Sequence, residues 1–285
     1  MSIRHPRGWG GPLAVLSAAL ACAGPLRAGA TAAPSESRFE VVQAVLPEAV
    51  RLHVFAAGRL ARTGSAVCLR DDRTTHRSYL LTNAHVVDAG GLPGRPSYEA
   101  LVEGPRGTAR AFPARLLAVG SVPDTDLAVL VVQGADVPAA LLAEGDGARV
   151  GEDVVIIGAP FGRELSVSGG LVSSLEWVGD GAARALDRLK TDAAIGYGTS
   201  GGGIFRVRDG RLVALVEGYR TARVELPDPA AEGTAPGHDV AAAASRSAPA
   251  RRWGFDVPMP GETFGAPAAK IRRFLAAHGL AALGR

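Results

Sequence analysis

Three short stretches of the sequence contain the residue types that serine-based acyl transfer requires. GYGTSGGGIF surrounds Ser200 with glycines, TNAHVV contains His85, and DTDLAVL contains Asp126. A serine hydroxyl becomes a nucleophile when a base takes its proton, and that base needs a group that orients it and stabilises its charged form. The sequence therefore predicts a triad in which Ser200 is the nucleophile, His85 the base and Asp126 the orienting acid.

The glycines around the predicted nucleophile meet a further requirement of this chemistry. Glycine allows tight or left-handed backbone conformations, which bring amide N–H groups close to a reacting group. Such amides stabilise the negative charge that develops on the carbonyl oxygen under attack. We expect an oxyanion hole formed by Gly198 and Ser200, with Thr199 between them.

Two other acids, Asp124 and Asp192, lie close to these motifs in the sequence, and both are distinguished from Asp126. Asp126 immediately precedes the strongly apolar run LAVL, where a carboxylate is expensive to bury without a function. Asp124, two residues earlier, is interpreted as a solvated turn residue. Asp192, in KTDAAIG, is interpreted as a hydrogen-bonded residue that supports the serine stretch.

Short apolar runs punctuated by Gly, Asp and Pro indicate the elements that must position these residues. The runs include SYLLTN, DLAVLVVQG and DVVIIGAPFG, and their spacing is typical of an antiparallel sandwich or barrel. The DG pair between GIFRVR and RLVALVEGY predicts a hairpin after Ser200. The last run, APAAKIRRFLAAHGLAALG, predicts an amphipathic helix whose packed face has the apolar residues Ile271, Phe274, Leu275 and Leu280.

The N-terminal region has the pattern of an export signal. Arg4 and Arg7 precede the apolar run GPLAVLSAALACAG, and small residues follow. We expect a signal peptide and the start of a linker over residues 1–32, and an exported protein that is periplasmic or secreted. A minority interpretation is a lipoprotein anchored at Cys22. Once the signal is cleaved, no stable membrane span is expected.

Composition excludes several other function classes. The net charge of +3 is accounted for by the three arginines of residues 1–30, so a basic surface for nucleic acid is not expected.

Cys68 is interpreted as a buried strand residue. No metal or other cofactor is expected, because four histidines lack ligand-like spacing: His53, His76, His238 and His278. Residues 221–251, rich in Ala, Pro and Ser, are predicted to form a disordered insertion loop.

TNAHVV, DTDLAVL and TDAAIGYGTSGGGIF, in that order, resemble the trypsin-like serine proteases, and within them the bacterial HtrA/Deg branch. The resemblance covers roughly residues 40–275. It implies an all-β fold of two antiparallel six-stranded β-barrels with a C-terminal helix. The implied protease domain is 36–280, with a first barrel over about 48–135, a second over about 145–260 and a helix over about 266–280.

The sequence departs from the family pattern at three points. Thr199 stands where digestive enzymes have Asp and the HtrA branch commonly has Asn, so activation by capture of a new N-terminus is not expected. Gly203 replaces a proline that often follows the SGG run. No PDZ domain follows the closing helix in this sequence, so the oligomeric state is left open.

The resemblance also implies a specificity pocket formed by two stretches of the chain. One precedes the nucleophile and the other is the later strand LVEGY; the candidate residues are Ala194, Ile195, Gly196, Tyr197, Val216, Glu217, Gly218 and Tyr219. The absence of an Asp at Ala194 favours a small or medium apolar P1 side chain over Lys or Arg. Glu217 and Tyr219 are left with two orientations, into the pocket or away from it.

The function that these features predict is an exported serine endopeptidase acting on unfolded or flexible polypeptides through an acyl-enzyme. Two alternatives stay open. One is a catalytically weak protein of protease fold that binds peptides or acts as a chaperone. The other is an esterase-like hydrolase that uses the same machinery.

Overall fold

The predicted architecture of two six-stranded antiparallel barrels is confirmed by a computed structural model of the chain. The structure describes residues 37–88, 90–104, 107–227 and 252–285. The predicted signal peptide, Cys22 and His238 lie outside the described residues.

The first barrel closes in the strand order β1-β2-β3-β6-β5-β4. Its strands are β1 (Ala49–Ala56), β2 (Arg59–Asp72), β3 (Arg77–Thr82), β4 (Ser97–Glu103), β5 (Ala109–Val119) and β6 (Ala128–Gln133). Along β1 the side chains alternate, so that Leu52 and Val54 are buried while Arg51 and His53 are half-buried. This period of two follows from the pleat of a strand and fills the barrel with the apolar set.

The second barrel closes in the order β10-β11-β12-β9-β8-β7. Its strands are β7 (Asp153–Gly158), β8 (Ser166–Val178), β9 (Ala185–Thr191), β10 (Gly203–Arg206), β11 (Leu212–Pro227) and β12 (Arg252–Pro267). The predicted DG hairpin joins β10 to β11, with Gly210 at φ 66°. The barrel continues to Pro267, beyond the predicted end near residue 260.

The prediction of a disordered loop over 221–251 is wrong for its first seven residues. Residues 221–227 are the distal part of β11 and pair with residues 252–258 of β12, from Thr221 opposite Pro258 onward. Main-chain hydrogen bonds hold such a ladder without a buried apolar face, and Arg223 lies 3.6 Å from Asp256 across it. Residues 228–251 lie outside the described residues.

Within the described ranges three helices accompany the barrels, α1 (Arg38–Val45), α2 (Ala84–Val87) and α3 (Ala268–Ala277). Single 3₁₀ turns occur at Leu46–Glu48, Pro160–Gly162, Gly181–Ala183 and Ala281–Gly284. Helix α3 buries Ile271, Phe274 and Leu275 against the second barrel, as its apolar spacing predicts, while Leu280 is half-buried. In the described part of the chain, no helix is both long and apolar enough to cross a membrane.

Candidate active site

His85 lies in a short turn that the first barrel holds in place. Strand β3 ends at Thr82, and helix α2 begins two residues later, directly before His85. The Arg62 guanidinium donates hydrogen bonds to the main-chain oxygens of His85, Asp88 and Gly90, at 3.1, 2.7 and 2.9 Å. A charged side chain on β2 therefore fixes the path of the backbone that presents the imidazole.

Asp126 makes two hydrogen bonds with His85. Its Oδ1 accepts the His85 main-chain N–H at 2.9 Å, and its Oδ2 lies 2.7 Å from His85 Nδ1. Asn83 Nδ2 donates to the Asp126 carbonyl at 2.9 Å, and the Asp126 side chain is only 12% exposed. A carboxylate at Nδ1 selects the tautomer in which Nε2 can accept a proton.

The turn before β6 determines which of the two nearby acids meets the imidazole. The main-chain N–H groups of Thr125 and Asp126 both donate to the Ser121 carbonyl, and Asp126 adopts a left-handed φ of 46°. Asp124 is exposed in this turn. The structure thus places Asp126, and not Asp124, against His85.

Ser200 lies in a segment that we call the serine loop, residues 196–202. The Thr199 N–H donates to the Gly196 carbonyl at 3.2 Å, and Gly198 between them has φ 88°. A Cβ atom at Gly198 would lie 2.7 Å from the Ala159 carbonyl oxygen. Both the positive φ and this close approach require glycine, as the sequence predicts.

Strand β2 contacts both the serine loop and helix α2, which contains His85. The Ser65 N–H donates to the Ser200 carbonyl at 2.8 Å. A Cβ atom at the preceding residue, Gly64, would lie 2.6 Å from a methyl group of Val86 and 3.5 Å from the Ser200 carbonyl oxygen. The segments that contain His85 and Ser200 therefore contact one short stretch of β2.

The Ser200 hydroxyl donates to the Glu217 carbonyl at 3.3 Å. Among the described residues, neither the Gly198 amide nor the Ser200 amide donates a hydrogen bond, so both are available to a ligand. Thr199 is only 3% exposed, and its Oγ1 accepts the Gly196 N–H at 3.4 Å. The buried Thr199 side chain therefore stabilises the conformation of the serine loop.

The predicted pocket residues divide into two groups. Ala194, Ile195 and Gly196 border a cavity of about 260 Å³, whose other lining residues are Ile156, Pro160, Phe161, Ser166, Ser168 and Thr199. The β11 residues of the predicted set do not line this cavity. Tyr197 and Tyr219 meet edge to face with ring centroids 5.9 Å apart, so these two aromatic rings connect the serine loop to β11.

Glu217 points away from the cavity and towards α3. Its carboxylate is buried, lies 3.2 Å from Lys270 Nζ and 3.5 Å from Arg188 Nε, and Lys270 also lies 3.3 Å from Asp187. Burial raises the pKa of Glu217, while the charge and hydrogen bond of Lys270 oppose that rise. Sequence reasoning did not find this buried pair, although a lysine on the apolar face of a predicted helix is a signal for a buried partner.

Asp192 and two of the histidines make contacts outside the candidate triad. Asp192 Oδ1 accepts the Leu171 N–H at 2.7 Å and so supports the strand next to the serine loop. His76 lies 3.4 Å from Asp136, and the ring of His278 lies tilted by 50° against that of Phe274, with centroids 4.4 Å apart. Within the described ranges no group of three or more His, Cys, Asp or Glu residues is arranged to hold a metal ion.

Comparison with known proteins identifies the family. The family described as trypsin-like peptidase domain matches residues 64–215, a segment that contains the His85, Asp126 and Ser200 motifs and more than half of the chain. The chain belongs to the trypsin-like peptidase family. This trypsin-like peptidase is 32% identical to a probable periplasmic serine endoprotease DegP-like of Marinomonas sp. over 145 residues, which cover 50% of this chain and 27% of that protein.

A second relative gives a similar result. The trypsin-like peptidase is 33% identical to the periplasmic serine endoprotease DegP of Escherichia coli K12 over 153 residues, which cover 53% of this chain and 29% of DegP. The chain thus spans less than a third of the length of these two relatives.

Solved structures agree on the fold. The crystal structure of the serine endoprotease from Yersinia pestis superposes with a TM-score of 0.55 at 22% identity, covering 87% of this chain and 68% of that one. The HtrA-type protease AlgW, solved with a tripeptide, gives a TM-score of 0.55 at 26% identity, covering 85% and 64%. The expected resemblance to the HtrA/Deg branch is confirmed.

Proposed function

We propose that this trypsin-like peptidase is an exported serine endopeptidase that cleaves unfolded or flexible polypeptides through an acyl-enzyme. The observation that carries the proposal is the pair of hydrogen bonds between His85 and Asp126, at 2.9 and 2.7 Å, beside a serine loop with two available amides. The relatives' names, periplasmic serine endoproteases, support both the reaction class and the compartment.

In the proposed acylation step, His85 Nε2 takes the proton of the Ser200 hydroxyl while Ser200 Oγ attacks the scissile carbonyl carbon. The hydroxyl first leaves the Glu217 carbonyl, a rotation about one side-chain bond. The negative charge that forms on the substrate oxygen is stabilised by the amides of Gly198 and Ser200. Collapse of this intermediate breaks the peptide C–N bond, and the imidazolium returns the proton to the leaving amine.

The second half of the proposed reaction repeats these roles with water. Water loses a proton to His85 Nε2 and attacks the ester carbon, and Ser200 leaves as its hydroxyl when the proton returns. Throughout, Asp126 stabilises the imidazolium through the 2.7 Å contact at Nδ1. The substrate chain would lie extended beside Leu215–Gly218 of β11 and add main-chain hydrogen bonds as a short further strand.

The proposal is tested by covalent labelling of the purified protein with a fluorophosphonate. We expect rapid labelling that is lost in Ser200→Ala and reduced by at least about 10³-fold in His85→Ala, because the hydroxyl is not activated without its base. Asp124→Asn, which changes an exposed acid two residues before Asp126, is the control and should label at the wild-type rate. Folded protein that does not label would contradict the proposal.

One observation favours a second function, a peptide-binding protein with little turnover. The Ser200 hydroxyl bonds to the Glu217 carbonyl at 3.3 Å, and among the described residues it makes no hydrogen bond with His85. In that case Ser200→Ala would bind an unfolded polypeptide as tightly as the wild type, and neither would cleave it. An esterase would cleave a small ester substrate but not casein, so assays with both substrates distinguish an esterase from the endopeptidase and from the peptide-binding protein.

A further inference from the structure

Ser65 is a fully buried residue of β2 whose polar atoms all make hydrogen bonds. Its N–H donates to the Ser200 carbonyl at 2.8 Å, and its Oγ donates to the Gly198 carbonyl at 2.8 Å. The same Oγ accepts the Ala159 N–H at 2.8 Å, and the Ser65 carbonyl accepts from Thr82 Oγ1 at 2.7 Å. One side chain of the first barrel thus binds two separate segments of the second.

The two amides of the proposed oxyanion hole belong to peptide groups that are held at their other end. In a planar trans peptide the carbonyl of one residue points opposite to the N–H of the next. The Tyr197 carbonyl accepts from the Phe161 N–H at 2.5 Å, which directs the Gly198 N–H away from residues 160–162. The Thr199 carbonyl accepts from the Gly202 N–H at 2.8 Å, which directs the Ser200 N–H in the same manner.

The peptide groups that alternate with these two depend on Ser65. The Gly198–Thr199 peptide is held at its oxygen by Ser65 Oγ and at its nitrogen by the Gly196 carbonyl. The Ser200–Gly201 peptide is held at its oxygen by the Ser65 N–H and at its nitrogen by the Val216 carbonyl, at 2.9 Å. Ser65 therefore supplies one contact to each of the two peptides that flank the nucleophile's own amide.

The Ser65 hydroxyl also connects the serine loop to the turn that holds the Tyr197 carbonyl. Ala159, whose N–H it accepts, directly precedes the turn at Pro160–Gly162. Loss of the hydroxyl would leave a buried donor at Ala159 and a half-buried acceptor at Gly198 without partners. Such groups relax towards other partners because an unsatisfied buried polar group is costly.

We propose that Ser65 is a positioning residue for the reaction. This proposal rests on the proposed function. Its hydroxyl holds the Gly198–Thr199 peptide and the Ala159 turn in the arrangement that aims the Gly198 and Ser200 amides at the substrate oxygen. It touches neither substrate nor the reacting atoms. Through the Gly198 and Ser200 amides, the hydroxyl affects the stability of the transition state, where the charge on the substrate oxygen is largest. It contributes little to binding of the substrate.

Ser65→Ala tests the proposal, with Ser78→Ala as the matched control. Ser78 is also a fully buried serine of the first barrel, and its Oγ also accepts a main-chain N–H, from Val137 at 3.0 Å. Both variants of the full chain are assayed for kcat and KM on an unstructured fluorogenic peptide. Amide hydrogen exchange of residues 196–202 is measured in parallel, since it reports on the serine loop whether or not the protein turns over.

For Ser65→Ala we expect kcat to fall about 10- to 100-fold, with KM within about threefold of the wild type and faster exchange in the serine loop. Ser78→Ala should leave kcat, KM and exchange in the serine loop unchanged. An unchanged kcat in folded Ser65→Ala, or equal losses in the two variants, would overturn the proposal. If Ser65→Ala does not fold, Ser65→Cys provides the same test, because a thiol fills the space but is a weak donor.

The two proposals fail in different ways. A wild-type chain without turnover or labelling contradicts the proposed endopeptidase. Exchange in the serine loop then decides the role of Ser65: protection lost in Ser65→Ala but kept in Ser78→Ala supports it, and equal protection in both refutes it.

Discussion

Replacement of Glu48 by glutamine is expected to stabilise the protein at alkaline pH and to leave its stability in mild acid almost unchanged. Glu48 ends the 3₁₀ turn before β1, and its Oε2 is buried without a hydrogen-bond partner among the described residues. Burial raises the pKa of this carboxyl from 4.5 to about 8, because the ionised form loses its hydration.

The direction and size of the effect follow from proton binding. Since the pKa of Glu48 is higher in the folded chain than in the unfolded one, the folded state binds more protons between pH 4.5 and about 8. The free energy of unfolding therefore falls as the pH rises through this interval, by about 1.4 kcal/mol per pH unit. The accumulated loss is on the order of 5 kcal/mol, and glutamine removes it because an amide does not ionise.

Urea unfolding at several pH values from about 5 to 8.5 measures this difference. A protonated carboxyl and an amide are both neutral polar groups, so Glu48→Gln and the wild type should have similar urea midpoints at the acid end. The variant's midpoint should then exceed that of the wild type by a margin that grows with pH. Glu144→Gln is the control, since the Glu144 side chain is 91% exposed. Midpoints that stay a constant distance apart would refute the reasoning.

Three further predictions concern the site and its support. Asp126→Asn should lower kcat by about 10³- to 10⁴-fold, because the imidazole loses the carboxylate that sets its tautomer; steady-state kinetics measures this. Gly201→Ala should abolish fluorophosphonate labelling, because a Cβ atom there would overlap the Ser65 carbonyl oxygen. Lys270→Met should lower the free energy of unfolding by about 3–5 kcal/mol, because it leaves Glu217 buried beside a weaker partner, and urea unfolding measures this.

Each of these predictions has a result that contradicts it. Wild-type kcat in Asp126→Asn would remove the orienting role from the carboxylate. Normal labelling of Gly201→Ala would mean that the serine loop can move away from β2 at little cost. For Lys270→Met, the double variant with Glu217→Gln should recover most of the stability, and equal losses in the single and double variants would exclude the buried carboxylate as the cause.

Much of the candidate site could be predicted from the sequence because its residue types occur in local patterns. His85 and Ser200 are each found from a few neighbouring residues, and Asp126 is separated from Asp124 by its position directly before an apolar strand. The positive φ of Gly198 was also predictable, since a glycine next to a reactive serine indicates a close backbone approach.

The error at residues 221–227 has a physical reason. Composition predicts whether a segment can bury apolar surface, but a strand pair needs only main-chain partners of matching length. The partner, residues 252–258, is separated from this stretch by 24 residues of similar composition, so the local sequence did not indicate the pairing. The orientation of Glu217 was open for a related reason, because the lysine that pairs with it lies 53 positions away.

The sequence by itself determined the motifs, their order, an antiparallel β-fold and the identity of the three candidate catalytic residues, and the family resemblance of those motifs implied two barrels. Only the tertiary structure decided which groups hold those residues in place. Ser65 lies 133 positions from Gly198, and the hydrogen bond between them exists because two closed barrels pack with β2 against the serine loop. Local patterns encode the conformation of a segment and the chemistry of its side chains, whereas contacts between distant segments depend on how the whole chain packs.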